Sequence, residues 1–491
     1  MRNFRQAGTR GFPAVQCRVR DTAFELHELA RAVAGEQPSV VWLDSARRHP
    51  VTGRFSVLGW DPWLVVSARG ATLTLTMNRT TRRLHGNPFA LLRRVLRQYA
   101  APHSPLLPPI GCGLIGGFSY ELNRWVERLP GPKPIAYRLP ELLLFGMRKL
   151  VVVDHARRKS WCVGMAEPHQ PEAAARRQAH ANLEAVEDLL TRCASAPAES
   201  SGPGSVPTIE PTMSQSEFET MVHEAKAFIA AGEIFQANLS QQFLAAPVAS
   251  PWTLYQTLRR VNPSPFACFL QTPEFAVVSC SPERLVAVRN DVAMARPIAG
   301  TRPRGATPAD DLLNSLELLL SDKERAEHIM LVDLARNDLG RVCQFGSVKA
   351  DTLMTLEDYS HVMHIVSNIQ GRLRRQVEPV DVVRAMFPGG TITGCPKVRC
   401  MQIIRELEPV GRGWYTGSLG YLGSDGTMDL NILIRTMIVQ DGRAWLHVGA
   451  GIVADSQPDR EYGETLAKAE ALFNALRLAA ATPGMSHAVA R

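Results

Sequence analysis

Two pairs of glutamates stand three residues apart in this chain, Glu324 with Glu327 and Glu461 with Glu464. At about 100° per residue each pair shares a helix face, and Lys468 falls on the face of the second pair. Such a pair is either a solvated charged stripe or half of a site for a hard divalent cation. Mg2+ typically uses one or two carboxylates together with waters and a substrate oxygen. Tyr462, Leu466, Ala469, Phe473 and Leu476 occupy the opposite face of the second helix and are expected in the core. The first pair runs into Ile329-Met-Leu-Val-Asp-Leu334, which is apolar nearly all round and therefore expected to be buried. Carboxylates at the mouth of a buried helix need compensation, which a cation bound between the two pairs supplies.

Other stretches suit anions. Arg296-Pro-Ile-Ala-Gly-Thr-Arg-Pro-Arg-Gly305 sets three arginines on a backbone rich in glycine and proline. It reads either as a loop that approaches an anion through free N–H groups or as an exposed basic turn. Gly449-Ala450-Gly451 follows a strand-like run and reads as consecutive anion-binding N–H groups or as a tight turn, with Lys468 and Arg435 able to add charge. Lys397, in a Gly-Cys-Pro-Lys turn, is a further such charge or a structural one. His364 lies among Val362, Met363, Ile365 and Val366 and on its own reads as a core histidine.

These stretches occur in one order: Ser281-Pro-Glu-Arg284, the arginine stretch, Glu324-Arg-Ala-Glu327-His, Ser360-His-Val-Met-His364, Pro388-Gly-Gly-Thr-Ile-Thr-Gly-Cys-Pro-Lys397 and Gly449-Ala-Gly-Ile-Val-Ala-Asp-Ser456. The series resembles the chorismate-utilising enzymes: anthranilate synthase component I, aminodeoxychorismate synthase component I, and the isochorismate and salicylate synthases. The resemblance is dense from Gln215 to Arg477 and thinner before. It implies an α+β fold in which two large antiparallel sheets pack together with helices outside. It implies Mg2+, with Glu327 and Glu464 as direct ligands and Glu324 and Glu461 acting through water. Glu283 matches the acid that protonates the departing C4 hydroxyl, and His364 a histidine beside the enolpyruvyl group. Gly300, Thr301, Thr391, Tyr415, Arg435, Gly449, Ala450, Gly451 and Lys468 fall on substrate-contact positions.

Two positions bear on the reaction. Members that add water to chorismate carry a lysine base where this chain has Gln236, and glutamine cannot take a proton from water. An ammonia-using member is therefore expected. Asn238, the Gly389–Lys397 segment, Asp429-Leu-Asn-Ile-Leu-Ile-Arg435 and Leu43-Asp-Ser45 look like the aminodeoxychorismate branch. Ala299 stands where many of those enzymes carry a covalent lysine, and it and Tyr359–His364 look like anthranilate synthase. The leading expectation is amination of chorismate to 4-amino-4-deoxychorismate for para-aminobenzoate and folate. Anthranilate synthesis with release of pyruvate is the alternative, and a non-catalytic small-anion-binding protein is the alternative from another class. The resemblance implies a separate glutamine amidotransferase as the ammonia source. Gly111-Cys112-Gly113, the only superficial candidate for its nucleophile in this chain, has no supporting His-Glu pair and reads as a tight turn.

The elements that must hold these residues are less plain. At 491 residues, with 45% hydrophobic and 21% charged, the composition is that of an ordinary soluble protein. The net charge of +8 comes mainly from arginine, without basic runs interleaved with aromatics, which argues against nucleic acid. Nine cysteines without a C-x-x-C suggest reduced thiols in a cytoplasm. No stretch approaches ~18 apolar residues, so no membrane span is expected. The first twenty residues hold five arginines and no acid; this is a transit-peptide-like bias, more simply read as a frayed basic terminus.

Residues 194–213 form a Pro/Ser/Gly linker by composition, between an N-terminal region, 1–193, and a catalytic region, 214–480, with a tail at 481–491. Helices are expected at 170–192 (exposed), 216–231, 320–336 and 459–477. Strands are expected at Val40–Leu43, Ala71–Met77, Leu150–Val153, Phe266–Leu270, Ala276–Ser279, Leu430–Val439 and Ala444–Val448. The resemblance implies that the linker is a surface excursion of one intertwined fold.

Overall fold

In the computed structural model, the strands alternate their side chains between two different cores. It describes the chain except residues 1, 7–12, 23–24, 50–51, 79, 102, 105, 109, 111, 194–204, 306, 359–361 and 482–491. In Val40–Asp44, Val41 joins one apolar cluster while Val40 and Trp42 join another. In the Leu142–Asp154 strand, Leu143 and Phe145 point to the first cluster and Leu142 and Leu144 to a third. This period of two is what a strand buried on both faces requires. The shared cluster therefore lies between two sheets, and the other two lie between each sheet and its helices.

Every strand pairing among the described residues is antiparallel. One sheet runs, neighbour by neighbour, from Thr208–Pro211 through Gln236–Ala246, Arg443–Ile452, Thr436–Gln440, Ala276–Ser281, Phe266–Gln271 and Val40–Asp44 to Phe55–Arg69. The other runs from Leu114–Phe118 through Ser418–Leu422, Met428–Asn431, Arg284–Arg289 and Val292–Ala295 to Val362–Arg372. The long strands Phe55–Arg69 and Leu142–Asp154 belong to both, which joins the sheets into one hydrogen-bonded network. N- and C-terminal parts are thus interleaved in one architecture of two antiparallel sheets with helices outside.

Several local expectations are corrected. The N-terminus is not frayed: Arg2–Gln6 pairs with Val15–Arg20. Within the expected linker, Thr208–Pro211 is a strand on the Gln236–Ala246 edge; residues 194–204 lie outside the described residues, as do residues 482–491 of the expected tail. The helix Glu172–Cys193 is not simply exposed, since Ala175, Ala179, Leu183, Val186 and Leu189 bury one face. The helix expected at 320–336 is Asp322–Gly340, begun by Ser321, whose side chain accepts from the Glu324 N–H; a second helix, Pro308–Leu320, precedes it and was not expected. The Asp322–Gly340 helix is not buried all round: Leu331 and Val332 face inward while Ile329 is 41% exposed. The strand expected over Leu430–Val439 breaks at Ile432–Arg435, where the chain passes from one sheet to the other.

Candidate active site

The crossings between sheets position the chemistry. Ala276–Ser281 lies in one sheet and Arg284–Arg289 in the other, so Glu283 sits on the step between them. Beside it the chain crosses again at Ile432–Arg435. Ser281 Oγ donates to the Ile432 carbonyl at 2.5 Å, and the Ile432 N–H donates to the Glu283 carbonyl at 3.0 Å. Arg435 holds φ at +51°, a left-handed conformation that a non-glycine residue adopts only when its surroundings impose it. Its guanidinium donates to Asn262 Oδ1 at 3.2 Å.

Burial decides the protonation of the two titrating groups. It pushes the Glu283 carboxyl up to about 7, against a hydrogen bond from Thr391 Oγ1 at 2.7 Å that favours the charged form. At neutral pH this carboxyl is therefore part protonated, as a proton donor must be. Burial pulls the His364 imidazole down to about 4. His364 Nδ1 stands 3.1 Å from the Gly300 carbonyl, which can only accept, so the neutral ring carries its proton on Nδ1. His364 is thus a buried, neutral histidine held by a backbone carbonyl. The Ser360-His361 part of its motif lies outside the described residues.

The floor is made by two glycines. Gly449–Gly451 is neither a turn nor a segment beyond the strand; it lies within Arg443–Ile452, in register with Asn238–Ser240. The neighbour on the other edge, Thr436–Gln440, pairs no further than Leu446, so among the described residues no strand covers that edge at Gly449–Gly451. A Cβ on Gly449 would stand 2.8 Å from Asn238 Oδ1 and 2.9 Å from the Tyr415 hydroxyl. One on Gly451 would stand 2.5 Å from Gln236 Nε2. The glycines are therefore required for these polar groups to converge.

The acids meet this floor from two helices. Glu327 accepts from Gln236 Nε2 at 2.9 Å, and a Cβ on Gly451 would lie 3.8 Å from its Oε1. Glu324 reaches the other sheet: it takes Arg302 Nη1 at 3.3 Å and approaches Gly300, whose φ of +66° marks the bulge between Ala299 and Thr301. Of Thr301 only the backbone is described, paired with His364. Ala299 is buried. On the Pro458–Ala481 helix, Lys468 Nζ donates to the Gly449 carbonyl at 3.0 Å and pairs with Glu464 at 2.7 Å. Glu461 does not share their exposed face; it is turned inward and buried. Among the described residues no three His, Cys, Asp or Glu side chains form a closed metal cluster.

Two charge assignments change. The arginine stretch is a strand, Ile298–Pro303, and its cations are engaged: Arg296 by Glu357, Arg302 by Glu317 and Glu324, Arg304 by Asp311. Lys397 is buried in an ion pair with Asp338 and so is structural. Cys112 is buried, and burial pushes its thiol up to about 12, which removes it as a nucleophile.

Sequence reasoning missed the group that holds the site together. Arg412 is 1% exposed and pairs with Glu408 at 2.7 Å, while its guanidinium donates to the carbonyls of Ile392, at 2.7 Å, and Asn238, at 2.6 Å. Glu408 in turn accepts from the Ser240 N–H and hydroxyl. One ion pair thus ties the Gln236–Ala246 strand to the turn that carries Thr391. The spacing of four was visible, but Pro409 and Gly411 hid it, since they argue against a helix. Arg412→Ala leaves Glu408 buried and uncompensated, and is expected to cost about 3–5 kcal/mol, read as a lowered denaturation midpoint. His447, also missed, stacks on Tyr415 with centroids 5.1 Å apart and planes at 10°.

With this geometry in hand, comparison with known proteins is specific. The chain matches the chorismate binding enzyme family over residues 42–474, and it belongs to that family. An anthranilate synthase component I-like protein of Synechocystis is 45% identical over 371 residues, 75% of this chain and 73% of that protein. Aminodeoxychorismate synthase component 1 of Bacillus subtilis is 38% identical over 439 residues, 89% of this chain and 92% of that protein. The crystal structure of anthranilate synthase component I from Streptococcus pneumoniae superposes with a TM-score of 0.76 at 32% identity, covering 87% of this chain and 94% of that one. The chain is a chorismate-utilising enzyme of the type these two synthases represent. Among the described residues no helix is long and apolar enough to cross a membrane.

Proposed function

We propose that this enzyme aminates chorismate at C4 with ammonia supplied by a separate glutaminase, giving 4-amino-4-deoxychorismate. Gln236 carries the choice of nucleophile. Its Nε2 is taken by Glu327, and its Oε1 is buried without a partner among the described residues. An amide oxygen accepts an N–H from ammonia but cannot deprotonate water. Ammonia needs no such activation, since its lone pair is already nucleophilic.

In this reading Glu283 gives its proton to the C4 oxygen as the C–O bond breaks. Arg435, Lys468, Thr301, Tyr415 and the Gly449–Gly451 edge hold the substrate carboxylates, while neutral His364 lines the enolpyruvyl side. Mg2+ is the cation the donor set fits, because Glu324, Glu327, Glu461 and Glu464 offer only hard oxygens from two helices that flank one strand. Glu327 and Glu464 would bind it directly and the other two through water. The ion, when bound, supplies positive charge to the ring carboxylate. Arg302, Gln236 and Lys468 hold Glu324, Glu327 and Glu464 in its place.

The C4 position is supported by Asn238, Gly389–Lys397 and Asp429–Arg435, and by the similarity to the Bacillus subtilis synthase. Ala299 offers no nucleophile, so amination proceeds without a covalent enzyme intermediate. Chorismate with Mg2+ is expected to be consumed with ammonium salt but not with glutamine, and intact-protein mass spectrometry during turnover should show only the unmodified chain. Release of glutamate from glutamine by the purified chain, or a chorismate adduct, contradicts the proposal. Failure to consume chorismate at all favours a non-catalytic anion-binding protein. A second reading, anthranilate formation, is favoured by Ala299 itself, which leaves C2 open to attack, and by the relatives bearing that name.

A further inference from the structure

Far from this site, four arginines face a cleft of about 670 Å3: Arg341, Arg374, Arg375 and Arg384. Three elements supply them. Arg341 caps the Asp322–Gly340 helix, Arg374 and Arg375 follow the Val362–Arg372 strand, and Arg384 lies in the last turn of Pro379–Met386. The one acid in the lining, Asp381, is already paired with Arg93. Arg341 reaches Glu127 only at 3.4 Å, and Arg374 donates to the Arg341 carbonyl. Among the described residues no carboxylate pairs with Arg374, Arg375 or Arg384, and Arg384 Nε is buried with no hydrogen-bond partner. Arg341, Arg374 and Arg375 are exposed at the rim of the cleft, and Arg384 is partly buried.

We propose that this cleft binds a small polyanion, a molecule with at least two phosphate or carboxylate groups beside an apolar part. Guanidinium groups match both anions bidentately. Val342, Val377 and Ala385 give the apolar part a wall, and the volume lies within the range of small-molecule sites. The cleft is separate from the active site: Arg341 and Glu324 stand at opposite ends of one helix, roughly 25 Å apart at ~1.5 Å per residue.

Calorimetry with pyrophosphate, ATP and citrate tests the assignment at low salt. At least one is expected to bind with Kd below about 1 mM, and more weakly as salt rises. Binding of pyrophosphate and ATP but not citrate identifies a phosphorylated ligand, and the reverse a polycarboxylate. Arg374 and Arg375 are exposed, so R374E/R375E should fold with an unchanged melting temperature and keep its chorismate turnover. It should lose affinity for the bound anion at least about tenfold. Binding by none of the three below about 1 mM, or a smaller loss in R374E/R375E, overturns the proposal.

Discussion

Replacement of Glu283 by glutamine is expected to lower kcat by about 10²–10⁴-fold, the usual worth of a positioned general acid, with the fold intact. Glutamine fills the same space and keeps an acceptor for Thr391 Oγ1, but has no proton to give. The wild-type rate should fall as pH rises through about 7, where the Glu283 carboxyl loses its proton. Thr391→Val removes a hydrogen bond that favours the charged form, so it should move this limb to higher pH. The stability sign is opposite to that of a salt-bridged carboxylate. The folded state holds the Glu283 proton more tightly than the unfolded chain, so this group's contribution is fully present below about 4.5 and is lost as pH rises to about 7. Glu283→Gln should flatten that part of the stability profile. An alkaline limb unchanged in Thr391→Val, with Glu283→Gln fully active, would remove Glu283 from the mechanism.

Replacement of Glu327 by glutamine should have the second large effect. Its carboxylate lies against Gly451 and Gln236, where the two sheets and the Asp322–Gly340 helix meet. The isosteric amide keeps the packing and removes one charge from the proposed cation site. Turnover at limiting Mg2+ should fall at least about 100-fold, since loss of even an outer-shell partner costs about 10–100-fold. The Mg2+ concentration giving half-maximal rate should rise. Full activity of Glu327→Gln in Mg2+-limited buffer would sink the metal assignment, and with it the roles given to Glu324, Glu461 and Glu464.

What the sequence disclosed depended on how local the cause was. Glu283, Gln236, His364 and the two glutamate pairs lie in contiguous motifs; the fold sets Glu283 on a step between the sheets and brings Gln236 to Glu327. The start of the Asp322–Gly340 helix was also legible, because Ser321-Asp-Lys-Glu324 has the Ser-x-x-Glu spacing of a helix start, and the helix expected from 320 begins within two residues of it. Gly449–Gly451 resembled a turn only because glycine is rare in strands; its partner at Asn238–Ser240 lies about two hundred residues away. The arginines of Arg296–Gly305 read as an anion-binding loop because their carboxylates, Glu357, Glu317 and Asp311, lie outside it. Glu461 seemed to share a face with Glu464, yet helical angle alone does not say which flank the neighbouring strands cover.

The most direct measurement of the central claim is the identity of the product. The purified chain is incubated with chorismate, Mg2+ and ammonium salt, and the product is read by NMR, with pyruvate and fluorescence assayed alongside. C4 amination gives 4-amino-4-deoxychorismate with the enolpyruvyl group retained, no pyruvate and no blue fluorescence. Blue-fluorescent anthranilate with equimolar pyruvate, formed without an added lyase, would show that the open C2 beside Ala299 decides the reaction and that the C4 assignment is wrong.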